Sequence, residues 1–138
     1  MNFTKIKISA TVNASIEKAW NYYNQPEHIV NWNFANNDWH CPFANNNLTV
    51  NGKLLTRMEA KDKSFGFDFE ATYNEIINLN KIVYTMPDNR MVAILFNQNN
   101  NTTSIHIEFD AEKINSIELQ KNGWQAILDN FKNYVENN

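Results

Sequence analysis

"NSIELQKNGWQAILDNFKNYVE", residues 115–136, decides the fold. Ile117, Gln120, Trp124, Ile127, Leu128, Phe131 and Val135 recur at helical spacing, so they share one face of a long amphipathic helix. Asn115 with Glu118 three residues later fits a capping-box start, Asn standing in for the usual Ser or Thr. Such a helix must lay its apolar face on something, and the chain before it offers mainly strands.

Working back from the helix, the spacing predicts strands at about 48–61, 66–78, 80–86, 91–97 and 103–110. Short polar connections, "AKDKS", "INLN", "PDN" and "NQNNN", imply an antiparallel meander. Residues 3–12 alternate, with Ile6, Ile8, Ala10 and Val12 on one side, as a strand with one wet face does. Ile16, Ala19, Trp20 and Tyr23 are spaced for a short helix, and Pro26 suits the first turn of another ending near Val30. The expected architecture is α+β: a curved antiparallel sheet of about six strands wrapped on a long C-terminal helix, with two short helices after strand 1.

At 138 residues without a linker or repeat, the chain reads as one domain, 1–138, able to bury a full core. The net charge of −3, with Lys and Arg spread singly, argues against nucleic acid as a partner. A single cysteine fits a reducing compartment. Neither a signal-like start nor a membrane-spanning run is visible, so the expected location is cytoplasmic. Asparagine supplies about one residue in five, and it enters left-handed turns almost as glycine does.

The inner face of this sheet is aromatic. Phe65, Phe67, Phe69, Ala71 and Tyr73 alternate onto one side of their strand, with Asp68 and Glu70 on the other. Leu54, Thr56 and Met58 continue that face on the preceding strand. Ile82, Tyr84 and Met86, then Val92, Ile94 and Phe96, continue it on the strands that follow. Between the second short helix and the meander lies "NWNFANNDWHCPFA", 31–44, with no helical or strand period. Its Trp32, Phe34, Trp39 and Phe43 are placed to close the open end of the wedge between sheet and helix, as core or as cavity wall. Gly123 costs the helix about 1 kcal/mol relative to alanine. Either close packing or a shaped cavity beside Trp124 would explain it.

Together, "GFDFEATYNEI", "IVYTMPDNRMV", "ELQKNGWQAILDNFKNYVE" and "IEKAWNYYNQPEHIVNW" resemble the branch of the START-like, helix-grip (SRPBCC) superfamily named after the activator of the Hsp90 ATPase. The resemblance runs over essentially the whole chain, and Gln120-Lys-Asn-Gly123-Trp124 is its most specific piece. It implies a deep, mostly apolar cavity between sheet and long helix, which in the wider superfamily binds lipids, sterols, polyketides or aromatic hormones. The chain departs from the pattern at Asn51-Gly52, where Gly-Gly is usual, and at Asp62-Lys63-Ser64, where Asp-Gly-Ser is usual. The co-chaperone's separate N-terminal domain has no counterpart here.

Catalytic signatures are sparse. His40 and Cys41 are neighbours in an extended segment, so their side chains diverge rather than form a nucleophile pair. No metal-ligand spacing, phosphate loop or triad motif is present. Arg57 alternates outward against Met58, while Arg90 would anchor an anionic head group if turned inward. The residues expected to line a ligand site are Trp32, Phe34, Trp39, Met58, Phe67, Phe69, Tyr73, Tyr84, Ile94, Phe96, Gln120, Trp124 and Leu128. No cofactor or metal is expected. The expected role is non-enzymatic binding or carrying of a small hydrophobic ligand, with a co-chaperone-type interaction module as the alternative and a cyclase or hydrolase behind both. A homodimer contact or a chaperone partner would use the strand of Met91, Ala93 and Leu95, which is apolar on both sides.

Overall fold

The computed structural model describes residues 3–138; Met1 and Asn2, part of the start read as lacking a leader, lie outside them. Strand β1 (Lys5–Val12) is followed by helices α1 (Ile16–Asn24) and α2 (Pro26–Ile29). Strands β2 (Trp39–Asn46), β3 (Lys53–Ala60), β4 (Gly66–Ile77), β5 (Lys81–Thr85), β6 (Met91–Asn99) and β7 (Thr102–Asp110) come next, and helix α3 (Ile117–Asn137) closes the chain. All strand pairs are antiparallel, in the order β1-β7-β6-β5-β4-β3-β2. This is the expected α+β helix-grip arrangement.

The sheet has seven strands rather than about six, and the extra one is β2, inside the aromatic stretch that shows no period. A register shift between His40 and Phe43 breaks its alternation, and Pro42 interrupts its donors. Both are tolerated because β2 is an edge. The bulge turns Phe43 outward, where it is 49% exposed, so it closes nothing. The strand expected from residue 48 starts only at Lys53. Before it, Asn47 to Gly52 form a tight turn in which Thr49 N donates to Asn47 O and Gly52 N donates to Thr49 O.

The cap of α3 also differs from expectation. Ser116, not Asn115, is the N-cap, its hydroxyl accepting from Leu119 N at 3.1 Å. Asn115 instead binds Glu112, whose carboxylate accepts from the backbone N–H of Ile114 and Asn115 and from the Asn115 side chain. Ile117, placed on the buried face by its spacing, is 44% exposed, because the first turn of α3 overhangs the end of the sheet.

The position of α3 matters most. Gln125 donates to Ser9 O and Lys132 to Thr11 O, so α3 is tied to the edge strand β1 and covers carbonyls that would otherwise be bare. Its C-terminal half is seated there through buried Leu128, Phe131 and Val135. The far limb of the sheet, β3 to β5, curls toward α3 without being tied to it by any hydrogen bond among the described residues. No helix among these residues is long and apolar enough to cross a membrane.

Candidate functional site

Because α3 is held against β1, a space of about 450 Å³ remains between its N-terminal half and the β3–β5 limb. That volume falls within the range of small-molecule sites, roughly 300–1,000 Å³. Trp124 forms one wall, its ring stacked on Phe109 of β7 with centroids 3.9 Å apart. Phe69 reaches toward it edge-on from β4, at 6.4 Å, and also meets Tyr84 edge-on. Ile94, Ile82 and Tyr84 make the floor, and Leu128 closes the seated side of α3.

The strand pairings give this space a direction. Met58 opposite Phe67, and Trp39 opposite Ala60, put those aromatic side chains at one end of the sheet, together with Arg90 and Glu112. Here lie the exposed lining residues, Phe67 at 39% and Leu119 at 60%, so this is the mouth. Trp39 packs against Phe65 and Phe67 at that rim. The opposite end is shut by α1 and α2, which contribute Tyr23, Asn24 and Ile29.

The segment between α2 and β2 closes the side. Trp32 is buried, stacks on Tyr23, meets Phe131 edge-on, and donates its indole N–H to Tyr22 O at 3.0 Å. Asn130 of α3 holds the Trp32 carbonyl at 2.9 Å, which brings Phe34 to the wall. The aromatic loop is therefore half core plug and half cavity lining.

Among the residues named from the sequence, the lining includes all but Phe96. Phe96 shares the inner face with Ile94 but lies two residues further along β6, where α1 crosses the sheet. Its ring is sealed against Trp20 and Tyr23. Gln120 reaches the lining, but its amide is committed: Oε1 accepts from Glu112 N, and Nε2 donates to the carbonyls of Glu112 and Asn115. It clasps the segment ahead of α3. Gly123 lines the cavity too, and a Cβ there would meet nothing within 4 Å, so close packing is not its reason.

Several lining residues were not among those expected at the site: Tyr23 and Asn24 at the closed end, Asn46 and Thr56 on β2 and β3, and Glu112 at the mouth. Thr56 carried a signal, a polar residue between Leu54 and Met58 in an apolar stripe. Tyr73 donates its hydroxyl to Asn46 Oδ1 at 2.6 Å, and Asn46 donates to Asn24 O at 2.8 Å. Burial pushes the hydroxyls of Tyr23, Tyr73 and Tyr84 well above the ordinary tyrosine range, so all three stay protonated and neutral.

The charged groups are arranged for structure. Arg57 faces outward and binds Glu59 at 3.0 Å and Asp68 at 3.3 Å; Glu70 pairs with Lys53 on the same outer side. Arg90 does line the mouth, held by Asp88 at 2.7 Å. Cys41 is buried, and burial raises its thiol pKa above the ordinary value, which keeps it a poor nucleophile. His40 points instead to Glu59, 3.6 Å away.

A family model described as "Activator of Hsp90 ATPase homolog 1-like protein" matches residues 13–136. The solution structure of an AHSA1-like protein from Aeromonas hydrophila is 39% identical, covers 97% of this chain and 93% of its own, and superposes with a TM-score of 0.91. A solution structure from Cytophaga hutchinsonii is 47% identical over 96% of this chain and 92% of its own, with a TM-score of 0.83. A crystal structure from Chromobacterium violaceum, 18% identical with a TM-score of 0.86 over 96% of this chain and 98% of its own, shares the fold. None of the curated proteins searched is significantly similar in sequence.

Proposed function

The chain belongs to the family of Activator of Hsp90 ATPase homolog 1-like proteins, and from that premise we propose that it is a single START-like domain that binds a small hydrophobic or amphipathic molecule without transforming it. The observation that carries this reading is the space left where α3 stands off the β3–β5 limb, walled by Trp124, Phe69 and Ile94. Aromatic side chains rim it rather than fill it. Burying a two-ring or long-chain molecule there removes enough apolar area to outweigh the entropy of association; a single ring, about 200 Å² or about 5 kcal/mol, does not leave much over. The class is lipid, polyketide or aromatic.

A carrier suits the lining better than an enzyme does. Its two charged residues, Arg90 and Glu112, are each engaged by neighbours, Asp88 and Asn115, and the hydroxyls deeper in are held neutral. A second reading, a protein-interaction module of co-chaperone type or a homodimer contact, draws on the family description and on Met91 and Leu95, which leave apolar surface exposed on the outer face of β6.

Native mass spectrometry of the purified protein, with solvent extraction of what travels with it, tests the first reading. A reproducible extra mass, released on denaturation and absent from a folded Gly123→Leu protein whose new side chain enters the space, is the expected result. Trp124→Ala should impair the same binding and leave partner binding intact. A clean apo mass, followed by no tryptophan-fluorescence response to a hydrophobic library, would turn attention to the outer face of β6.

A further inference from the structure

We propose that the ligand of this cavity carries an uncharged oxygen function, a ketone, alcohol or phenol, which is received on its β3 side by the Thr56 hydroxyl and the Asn46–Tyr73 pair beside it. The inference rests on the ligand-binding reading above and specifies what that ligand must carry. Its anchor is Thr56 Oγ1, the one fully buried side-chain oxygen or nitrogen without a hydrogen-bond partner among the described residues. Thr56 is 2% exposed, sits in the middle of β3 between Leu54 and Met58, and lines the cavity. Nearly every buried polar group in a folded protein is paired, so an orphan on a residue that lines an empty space points to a partner that arrives from outside.

Thr56 is not alone. It pairs across the ladder with Ala44 on β2 and Phe69 on β4. One step further along those strands on the same face are Asn46 and, beyond Ala71, Tyr73, whose hydrogen bond spans the sheet. Asn46 is a diagonal neighbour of Thr56, about 7–8 Å away, close enough for one ligand group to touch Thr56 and the Asn46–Tyr73 pair. Tyr73 donates to Asn46 but keeps lone pairs free to accept. Tyr23 and Tyr84 line the same cavity, and their hydroxyls make no hydrogen bond among the described residues. Between Thr56 and α1 the cavity thus offers four hydroxyls: those of Thr56, Tyr23 and Tyr84 can donate or accept a hydrogen bond, and that of Tyr73 can accept one.

The charge of the partner follows from what is missing nearby. Arg57, next to Thr56 in sequence, points to the outer face and is bound by Glu59 and Asp68. Arg90 stands just before β6, three strands away from β3, and is held by Asp88. A carboxylate pressed against Thr56 would be desolvated without a counter-charge, which a neutral oxygen avoids.

Naphthalene, 2-naphthol and 2-naphthoate separate the possibilities, because they share one two-ring frame and differ only in the group it carries. Binding is followed by protein NMR titration at neutral pH for the wild-type protein, Thr56→Val and Thr56→Ser. The expected result is 2-naphthol binding about fivefold to tenfold more tightly than naphthalene, and more tightly than 2-naphthoate. Thr56→Val, which keeps the shape and removes the hydroxyl, should bring naphthol down to naphthalene while leaving naphthalene unchanged. Thr56→Ser should restore the preference. If naphthalene and naphthol bind wild-type protein equally, or the preference survives in Thr56→Val, the inference is overturned while the cavity remains a binding site. Preference for 2-naphthoate overturns it in favour of Arg90 at the mouth. If no probe of the three binds, the ligand-binding reading falls with it.

Discussion

Lys63 has a φ of 66°, in the left-handed region where a side chain with a Cβ is strained. Among the described residues four other non-glycine residues share that conformation, Asn51, Leu79, Asn89 and Asn100, and three of those four are asparagine. The asparagine bias of the chain therefore has a structural use, since asparagine tolerates this geometry and the chain has only three glycines. Lys63 has no such excuse, and it is exposed. Lys63→Gly should raise the unfolding free energy by about 0.5–1 kcal/mol, seen as a higher urea midpoint at unchanged slope. Gly52 gives the opposite result for a different reason. A Cβ there would lie 2.2 Å from the Asn47 carbonyl oxygen, a backbone atom that cannot swing away. Gly52→Ala should therefore cost more than about 1 kcal/mol in the same titration.

Among the elements, α3 shows how stability and cavity compete. Gly123 interrupts an otherwise good helix, and nothing lies within 4 Å of where its Cβ would be. Gly123→Ala should stabilise the protein by about 1 kcal/mol in thermal or urea unfolding, with no clash to offset the gain. The segment leading into α3 is clasped by Glu112, whose carboxyl is held below the ordinary glutamate range, chiefly by the Asn115 backbone N–H. A depressed pKa of this kind contributes stability above the unfolded value and loses it as pH falls through the folded one. The Asn115 amide resonance should thus shift with a midpoint below that of an ordinary glutamate; an ordinary midpoint would mean that the clasp is absent in solution. The amphipathic stripe of α3 and the alternation of β4 were legible because each repeats over many residues. β2 was not, since a bulge and Pro42 erase its period within eight residues. The cap moved by one position because Glu112 claims Asn115, a contact that no capping pattern includes. For the candidate site, alternation identified the inner face but not where packing stops. Ile94 and Phe96 are equivalent by period, and only the crossing of α1 decides that one lines the cavity and the other does not.

At the scale of the molecule, α3 divides the sheet into a seated half and an open half. On one side β1, β7 and β6 carry Ile8, Ile107, Phe109 and Val92 into a continuous core with Phe131 and Val135. On the other, β3 and β4 hang on the sheet ladder, with Phe67 and Phe69 only partly covered across the cavity. Backbone segments with fewer buried apolar contacts open more readily, so amide hydrogens of β3, β4 and the first two turns of α3 should exchange faster than those of β6, β7 and β1. Ligand binding is linked to that opening, because an occupant supplies the missing contacts only while the limb is closed. At about 100 times its Kd a ligand adds about 2.7 kcal/mol, enough to raise the melting temperature by about 9 °C in a domain of this size. Hydrogen exchange then distinguishes where that energy acts. Protection should grow in β3, β4 and the N-terminal half of α3, and stay unchanged in β1 and β7 below the global limit. Uniform protection, or protection centred on the outer face of β6, would place the ligand elsewhere and remove the reason for α3 to stand off the sheet.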